Sequence, residues 1–112
     1  KTKKLSTLIE ENNIDMNEYD FLNIDAEGAE LEILKGFEDH LKYINMIFLE
    51  TSLDDRNNTG AYHHVIAEWL KDRNFSLAEM SDSYRYENWG DSIFVRNDRE
   101  LKPFNREKYL LK

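Results

Sequence analysis

The residues with the clearest capacity for chemistry are carboxylates at the end of a short apolar run. Residues 20–30 read DFLNIDAEGAE, in which the apolar segment gives way to Asp25, Glu27, Gly28 and Glu30. Carboxylates in such a position can serve as general bases, as metal ligands or as groups that orient a substrate. The question is which elements of the fold bring them together.

A second apolar run, residues 45–51 (NMIFLET), carries a further carboxylate, Glu50. Both runs are short and rich in apolar residues, a pattern that predicts buried strands. Ligands of an open parallel sheet bind beyond the carboxyl ends of its strands. If the two strands are neighbours, Asp25 and Glu50 lie on that functional edge. This argument favours a functional role for Asp25 and leaves a functional and a structural role equally open for Glu50.

Glu27 and Glu30 also have a structural explanation. They fall in or before the first turn of the next predicted helix, where negative charge offsets unpaired backbone N–H groups and contributes about 0.3–1 kcal/mol each. For Glu30 this explanation is favoured, because acidic residues are common in first turns. Gly28 allows a tight turn or a close backbone approach between the strand and the helix.

Helices and strands alternate along most of the chain. Hydrophobic spacing predicts helices over 4–13, 28–44 with a break at Gly36, and 61–75, and strands over 20–24, 45–51, 75–81 and 91–98. Strands separated by helices imply parallel pairing through right-handed crossovers. No helix separates the last two strands, so the final strand is predicted to return antiparallel. The tail, residues 99–112, is a candidate for a short docked helix.

Composition narrows the class of protein. The 112 residues correspond to one domain, and the net charge of −8 argues against a general nucleic-acid binder, which needs a basic face. The sequence shows no apolar run that could span a membrane and no signal peptide. The lack of cysteine excludes disulfides and thiolate chemistry. A cytoplasmic protein without membrane or nucleic-acid partners is therefore expected.

Two further segments contain residues that could bind a ligand. In SYRYENW (83–89), Tyr84, Arg85 and Trp89 are candidates to contact a substrate, because loops at strand ends carry specificity. The alternative is that these aromatic residues cover the end of the sheet. The adjacent pair His63-His64 points in directions about 100° apart on a helix, so the two do not share a metal ion. No metal site is predicted.

The segment FLNIDAEGAELEILKG (21–36), followed by INMIFLE (44–50), resembles the FkbM-type family of S-adenosylmethionine-dependent methyltransferases. That family typically shows a strand ending in Ile-Asp, then x-E-G-x-E, a helix with L-x-x-L-x-G, and a strand ending in Leu-Glu. All four parts occur here in that order. Weaker likeness extends over most of residues 5–97.

The resemblance implies an α/β fold with a partial Rossmann-like methyltransferase sheet, in which parallel strands are joined by helical crossovers and the final strand is antiparallel. Such enzymes hold the cofactor with a glycine-containing loop after their first strand, and no G-x-G occurs in this sequence. Residues 1–112 are therefore expected to form a single domain equivalent to the C-terminal half of the fold. This chain alone is expected to bind S-adenosylmethionine poorly.

The resemblance also assigns roles to the carboxylates. Asp25 ends the strand beside the methyl-transfer site, as a general base, a metal anchor or a substrate orienter, and Glu27, Glu30 and Glu50 are second choices. The implied reaction is O-methylation of a sugar or another small molecule. The missing glycine loop keeps an alternative open, a non-catalytic half-Rossmann module for binding or assembly.

A sheet that begins at residues 20–25 exposes the hydrogen-bonding edge of its first strand, which is prone to association. A homodimer that pairs through this edge is therefore expected, unless a terminal segment covers it.

Overall fold

The computed structural model describes residues 5–16, 19–25, 28–53, 62–81 and 89–99. Its elements, in chain order, are α1 (Leu5–Glu11), β1 (Phe21–Ile24), α2 (Glu30–Gly36), a 3-10 helix (Glu38–Tyr43), β2 (Met46–Ser52), α3 (His63–Lys71), β3 (Phe75–Met80) and β4 (Trp89–Arg96). The predictions made for Glu27, Tyr84, Arg85 and residues 100–112 lie outside the described residues. Within the described ranges, no helix is long and apolar enough to cross a membrane.

The four strands form one mixed sheet in the order β1-β2-β4-β3. β1 pairs with β2 in parallel, and β4 pairs antiparallel with both β2 and β3. This confirms an α/β fold with parallel strands joined by helices and a final antiparallel strand. β4 lies between β2 and β3, so β2 and β3 run in the same direction without being neighbours.

Asparagines in the left-handed region follow two of the helices. α1 is followed by Asn13, whose φ of 52° is in the left-handed region that asparagine tolerates. Asn74 has φ 69° and follows α3 in the same way. The helical segment after β1 breaks at Gly36 as predicted, and the chain then continues as the 3-10 helix.

One face of the sheet, called here the first face, carries the hydrophobic core. Alternate strand residues point to it, and the same cluster contains the buried apolar side chains of the described helices. The cluster comprises Ile9, Met16, Ile24, Leu34, Phe37, Leu41, Ile44, Ile47, Leu49, Ile66, Leu70, Phe75 and Phe94. Both helical connections, β1 to β2 and β2 to β3, therefore pack on the first face.

Two strands differ from the sequence prediction. β4 was predicted over 91–98 but begins at Trp89, because Gly90 pairs with Thr51 within the ladder instead of belonging to a loop. β3 was predicted over 75–81 but ends at Met80, and its register shifts between Leu77 and Glu79. β3 is an edge strand, and Phe75 is its one buried residue, so neighbouring strands do not enforce its alternation.

Candidate active site at the carboxyl edge

Asp25 and Glu50 lie at the same edge of the sheet on neighbouring parallel strands. Ile24 pairs with Leu49, so continuing that register by one residue places Asp25 beside Glu50. Adjacent strands are about 4.8 Å apart, which brings the two side chains within reach of one substrate. Asp25 is exposed and Glu50 is half-buried. The sequence-based expectation of a shared edge is confirmed by this register.

A third carboxylate extends the row. Glu50 pairs with Asp91 across the antiparallel β2–β4 ladder, and Asp91 is exposed. Directly opposed like charges destabilise a ladder, so this pair is an unfavourable arrangement that packing alone does not explain. We call Asp25, Glu50 and Asp91 the acidic row.

The turn after β1 is held by a buried carboxylate. Glu30 is only 1% exposed, and its Oε1 accepts a hydrogen bond of 2.9 Å from the backbone N–H of Gly28. Gly28 has φ 107°, a conformation that a residue with a Cβ adopts only with strain. The structural role foreseen for Glu30 is therefore present in this turn. A contact between Glu30 and a substrate stays a prediction.

Trp89 lies at the same edge as the acidic row. It is the first residue of β4, pairs with Ser52, and leaves 46% of its surface exposed. Alternation along β4 places Trp89 and Asp91 on the same side of the sheet. An exposed indole beside carboxylates offers a surface on which a sugar or another ring can stack, and this role stays a prediction.

A polar cluster lies on the first face behind the edge. Thr51 Oγ1 is 3.0 Å from His63 Nδ1 and 3.2 Å from Ser92 Oγ, and Ser92 Oγ is 3.4 Å from the same ring nitrogen. Thr51 and Ser92 are buried, and the His63 ring stacks on Phe94 at 6.0 Å between centroids. The cluster joins the ends of β2 and α3 to β4.

His63 is the first residue of α3 and lies at the centre of this cluster. It is half-buried, whereas its neighbour His64 is exposed. Burial lowers the pKa of His63 below its ordinary value of 6.5, and the positive charge of His64 lowers it further. When the ring is neutral and carries its proton on Nε2, Nδ1 can accept a hydrogen bond from the Thr51 hydroxyl.

The carboxylates at this edge can take part in proton transfer and in the orientation of a ligand. No group of three or more histidine, aspartate or glutamate side chains among the described residues is placed to hold a metal ion. A carboxylate such as Asp25 at an exposed strand end can accept the proton of a bound hydroxyl group, and its neighbours can orient that group. The side-chain chemistry therefore fits an acceptor-binding edge.

The glycines in the described part of the chain lie in three separate elements. Gly28 is in a tight turn, where Glu30 accepts its N–H. Gly36 ends α2, and Gly90 is buried within β4. No G-x-G occurs in the sequence. The described elements that carry the acidic row therefore contain no glycine-rich loop.

Sequence reasoning missed Asp91, Thr51 and Ser92. Asp91 follows the loop segment at 83–89 and was assigned only to a strand, because its partner could not be known without the register. Thr51 and Ser92 are small polar residues with no motif around them. The signal that could have identified Asp91 is the antiparallel return of β4, which brings its first residues back to the carboxyl edge.

A comparison with protein families agrees with the sequence motif of residues 21–36 and 44–50. A family model described as the methyltransferase FkbM domain matches residues 1–77, which include β1 and the turn after it, β2 and α3. The corresponding comparisons with curated proteins and with solved structures found no match.

Proposed function

The chain belongs to the methyltransferase FkbM domain family, and from this premise we propose that it supplies the acceptor side of an S-adenosylmethionine-dependent methyltransferase with a Rossmann-like fold. The acceptor class is a hydroxyl of a sugar or another small molecule. The observation that carries the proposal is the register that sets Asp25 beside Glu50 at the carboxyl edge of two parallel strands. A cytoplasmic location is part of the proposal, supported by the lack of cysteine.

The roles of the residues follow from their positions. Asp25, exposed at the strand end, takes the proton from the acceptor hydroxyl as it becomes a nucleophile. Glu50, half-buried beside it, orients the acceptor by hydrogen bonding, and Trp89 provides the stacking surface. Holding the acceptor in this geometry is the main contribution of these side chains, because positioning alone removes much of the entropic barrier.

A second candidate function is a non-catalytic module for binding or assembly. It is favoured by one observation, the lack of a glycine loop on the described elements together with the lack of G-x-G in the sequence. The two candidates share the fold and differ in whether the acidic row reacts.

Isothermal titration of the full chain with S-adenosylhomocysteine is the first test. Tight, saturable binding would eliminate the non-catalytic module. We expect weak or no binding by the chain alone. A methylation assay then distinguishes the enzyme from the non-catalytic module.

That assay combines the chain with the separately produced cofactor-binding part of an FkbM-domain methyltransferase and sugar acceptors. The enzyme proposal expects methylation that needs both polypeptides and that falls at least about a hundredfold in Asp25→Asn, the range typical of a lost general base. Asp72→Asn is the control, since Asp72 is an exposed carboxylate directly after the last turn of α3. Equal loss in both variants would contradict the role of Asp25.

A further inference from the structure

The side of the sheet opposite the core, called here the second face, is apolar but covered by no described helix. Its residues are the strand positions that alternate with the core positions. They comprise Phe21, Asn23, Met46, Phe48, Glu50, Ser52, Ser76, Glu79, Trp89, Asp91, Ile93 and Val95. The described helices contribute their buried apolar side chains to the cluster on the first face.

The strand registers arrange the second face in rows across the sheet. Phe21, Met46 and Val95 form one apolar row, and Phe48 and Ile93 form the centre of the next. All five side chains are half-buried, so each keeps part of its surface in contact with solvent. A sheet with parallel strands joined by helices normally has both faces covered. The rows therefore form an apolar surface on which the described residues place no second layer.

Charge selects the kind of partner that this surface fits. The charged residues that the described strands place on the second face are Glu50, Glu79 and Asp91, and all three are acidic. They lie toward the carboxyl edge, beside a shallow depression lined by Phe48, Met80 and Ile93. A second copy of the chain would bring an identical acidic end and a net charge of −8 against this one. Like charges at close range oppose that arrangement.

We propose that the second face is a docking surface for an amphipathic helix of a partner polypeptide, with apolar residues against Phe48 and Ile93 and lysine or arginine residues against the acidic end. Four strands at about 4.8 Å spacing span roughly 14–19 Å, and a helix with its side chains is about 10–12 Å across, so the face accommodates one such helix. Helices recognise apolar surfaces of this kind through residues at i, i+3, i+4 and i+7. Glu50 and Asp91 belong both to this acidic end and to the acidic row, so a docked helix lies beside the proposed acceptor site.

The test uses the full chain and a synthetic amphipathic peptide of leucine and lysine, of about 16 residues, an ordinary helix length. Two control peptides have the same length, one with glutamate in place of lysine and one with the Leu–Lys sequence scrambled. Fluorescence anisotropy measures binding. We expect saturable binding of the amphipathic Leu–Lys peptide and much weaker binding of both controls.

Two pairs of variants locate the binding site. Phe48→Asp places a charge at the centre of the second face and should weaken binding by about tenfold or more, the effect of losing one buried phenylalanine contact. Leu77→Asp is its control, because Leu77 is 42% exposed and lies off this face. Glu79→Lys should also weaken binding, and it remains informative if Phe48→Asp fails to fold. Its control is Glu32→Lys, an exposed change on α2.

Several outcomes would overturn the proposal. Equal binding of the scrambled peptide would show that the binding is nonspecific charge attraction. If the amphipathic Leu–Lys peptide does not bind, the second face is not a docking surface for such a helix. Light scattering that shows a dimer dissolved by Phe48→Asp would assign the face to a second copy. Binding that appears only after removal of residues 100–112 would assign it to that segment.

Discussion

At the scale of single residues, His63 shows how burial sets a pH response. Its folded pKa lies below the ordinary value of 6.5, mainly because burial penalises the charged ring. As the pH falls, the unfolded chain therefore takes up this proton before the folded chain does. The contribution of His63 to stability is complete above about pH 6.5 and decreases as the pH falls through the window between the two pKa values.

We expect the free energy of unfolding to decrease between pH 7.5 and pH 5.5, and the decrease to be smaller in His63→Gln. Urea denaturation at several pH values provides the measurement. His64→Gln is the control, and it should keep most of the slope, because burial and not the neighbouring charge is the larger cause. An unchanged slope in His63→Gln would show that other groups carry the pH dependence.

The candidate site was predictable at some residues and not at others, for a physical reason. Asp25 and Glu50 could be predicted because each follows an apolar run, and parallel strands deliver their carboxyl ends to one edge. Asp91 could not, because its place in the row depends on the antiparallel register of β4. The half-burial of His63 depends on Thr51 and Ser92, which come from two different strands.

At the scale of elements, Arg96 fixes the end of β4 to the neighbouring backbone. This buried side chain donates from Nε to the Ile44 carbonyl at 2.8 Å and from a terminal nitrogen to the Leu41 carbonyl at 2.5 Å. Its guanidinium also lies 4.6 Å from the centre of the Phe75 ring. One side chain thus connects β4, β3 and the end of the 3-10 helix.

Arg96→Met should lower the free energy of unfolding by about 2–4 kcal/mol, because the carbonyls of the buried residues Ile44 and Leu41 lose their donor. Arg99→Met is a matched control. Arg99 also donates to a backbone carbonyl, that of Lys42, but it is exposed, so its loss should cost about 1 kcal/mol or less. Urea denaturation compares the two, and equal losses would contradict the argument from burial.

The order and type of the elements could be read from hydrophobic spacing, and their ends less well. Some helix ends depend on local sequence alone. Asparagine follows α1 and α3, and glycine ends α2 at Gly36. The start of β4 and the register shift in β3 are set by tertiary contacts. They depend on pairing with strands far away in the sequence, which no local pattern contains.

At the scale of the whole molecule, the sheet has two surfaces through which it can associate. One is the second face, and the other is the edge of β1, whose strand neighbour within the described residues is β2. The two predict different assemblies. Face docking takes a helix of opposite charge, whereas edge pairing joins backbone to backbone and tolerates identical partners.

We expect the full chain to form a homodimer that pairs through β1, the option proposed from the sequence. Sedimentation equilibrium over a range of concentrations measures the state, and hydrogen exchange at Phe21–Ile24 measures whether the edge is protected. Edge pairing predicts a dimer that persists in Phe48→Asp, because that side chain points to the second face and not along the strand edge. A monomer whose Phe21–Ile24 amides exchange rapidly would contradict both edge pairing and coverage by a terminal segment.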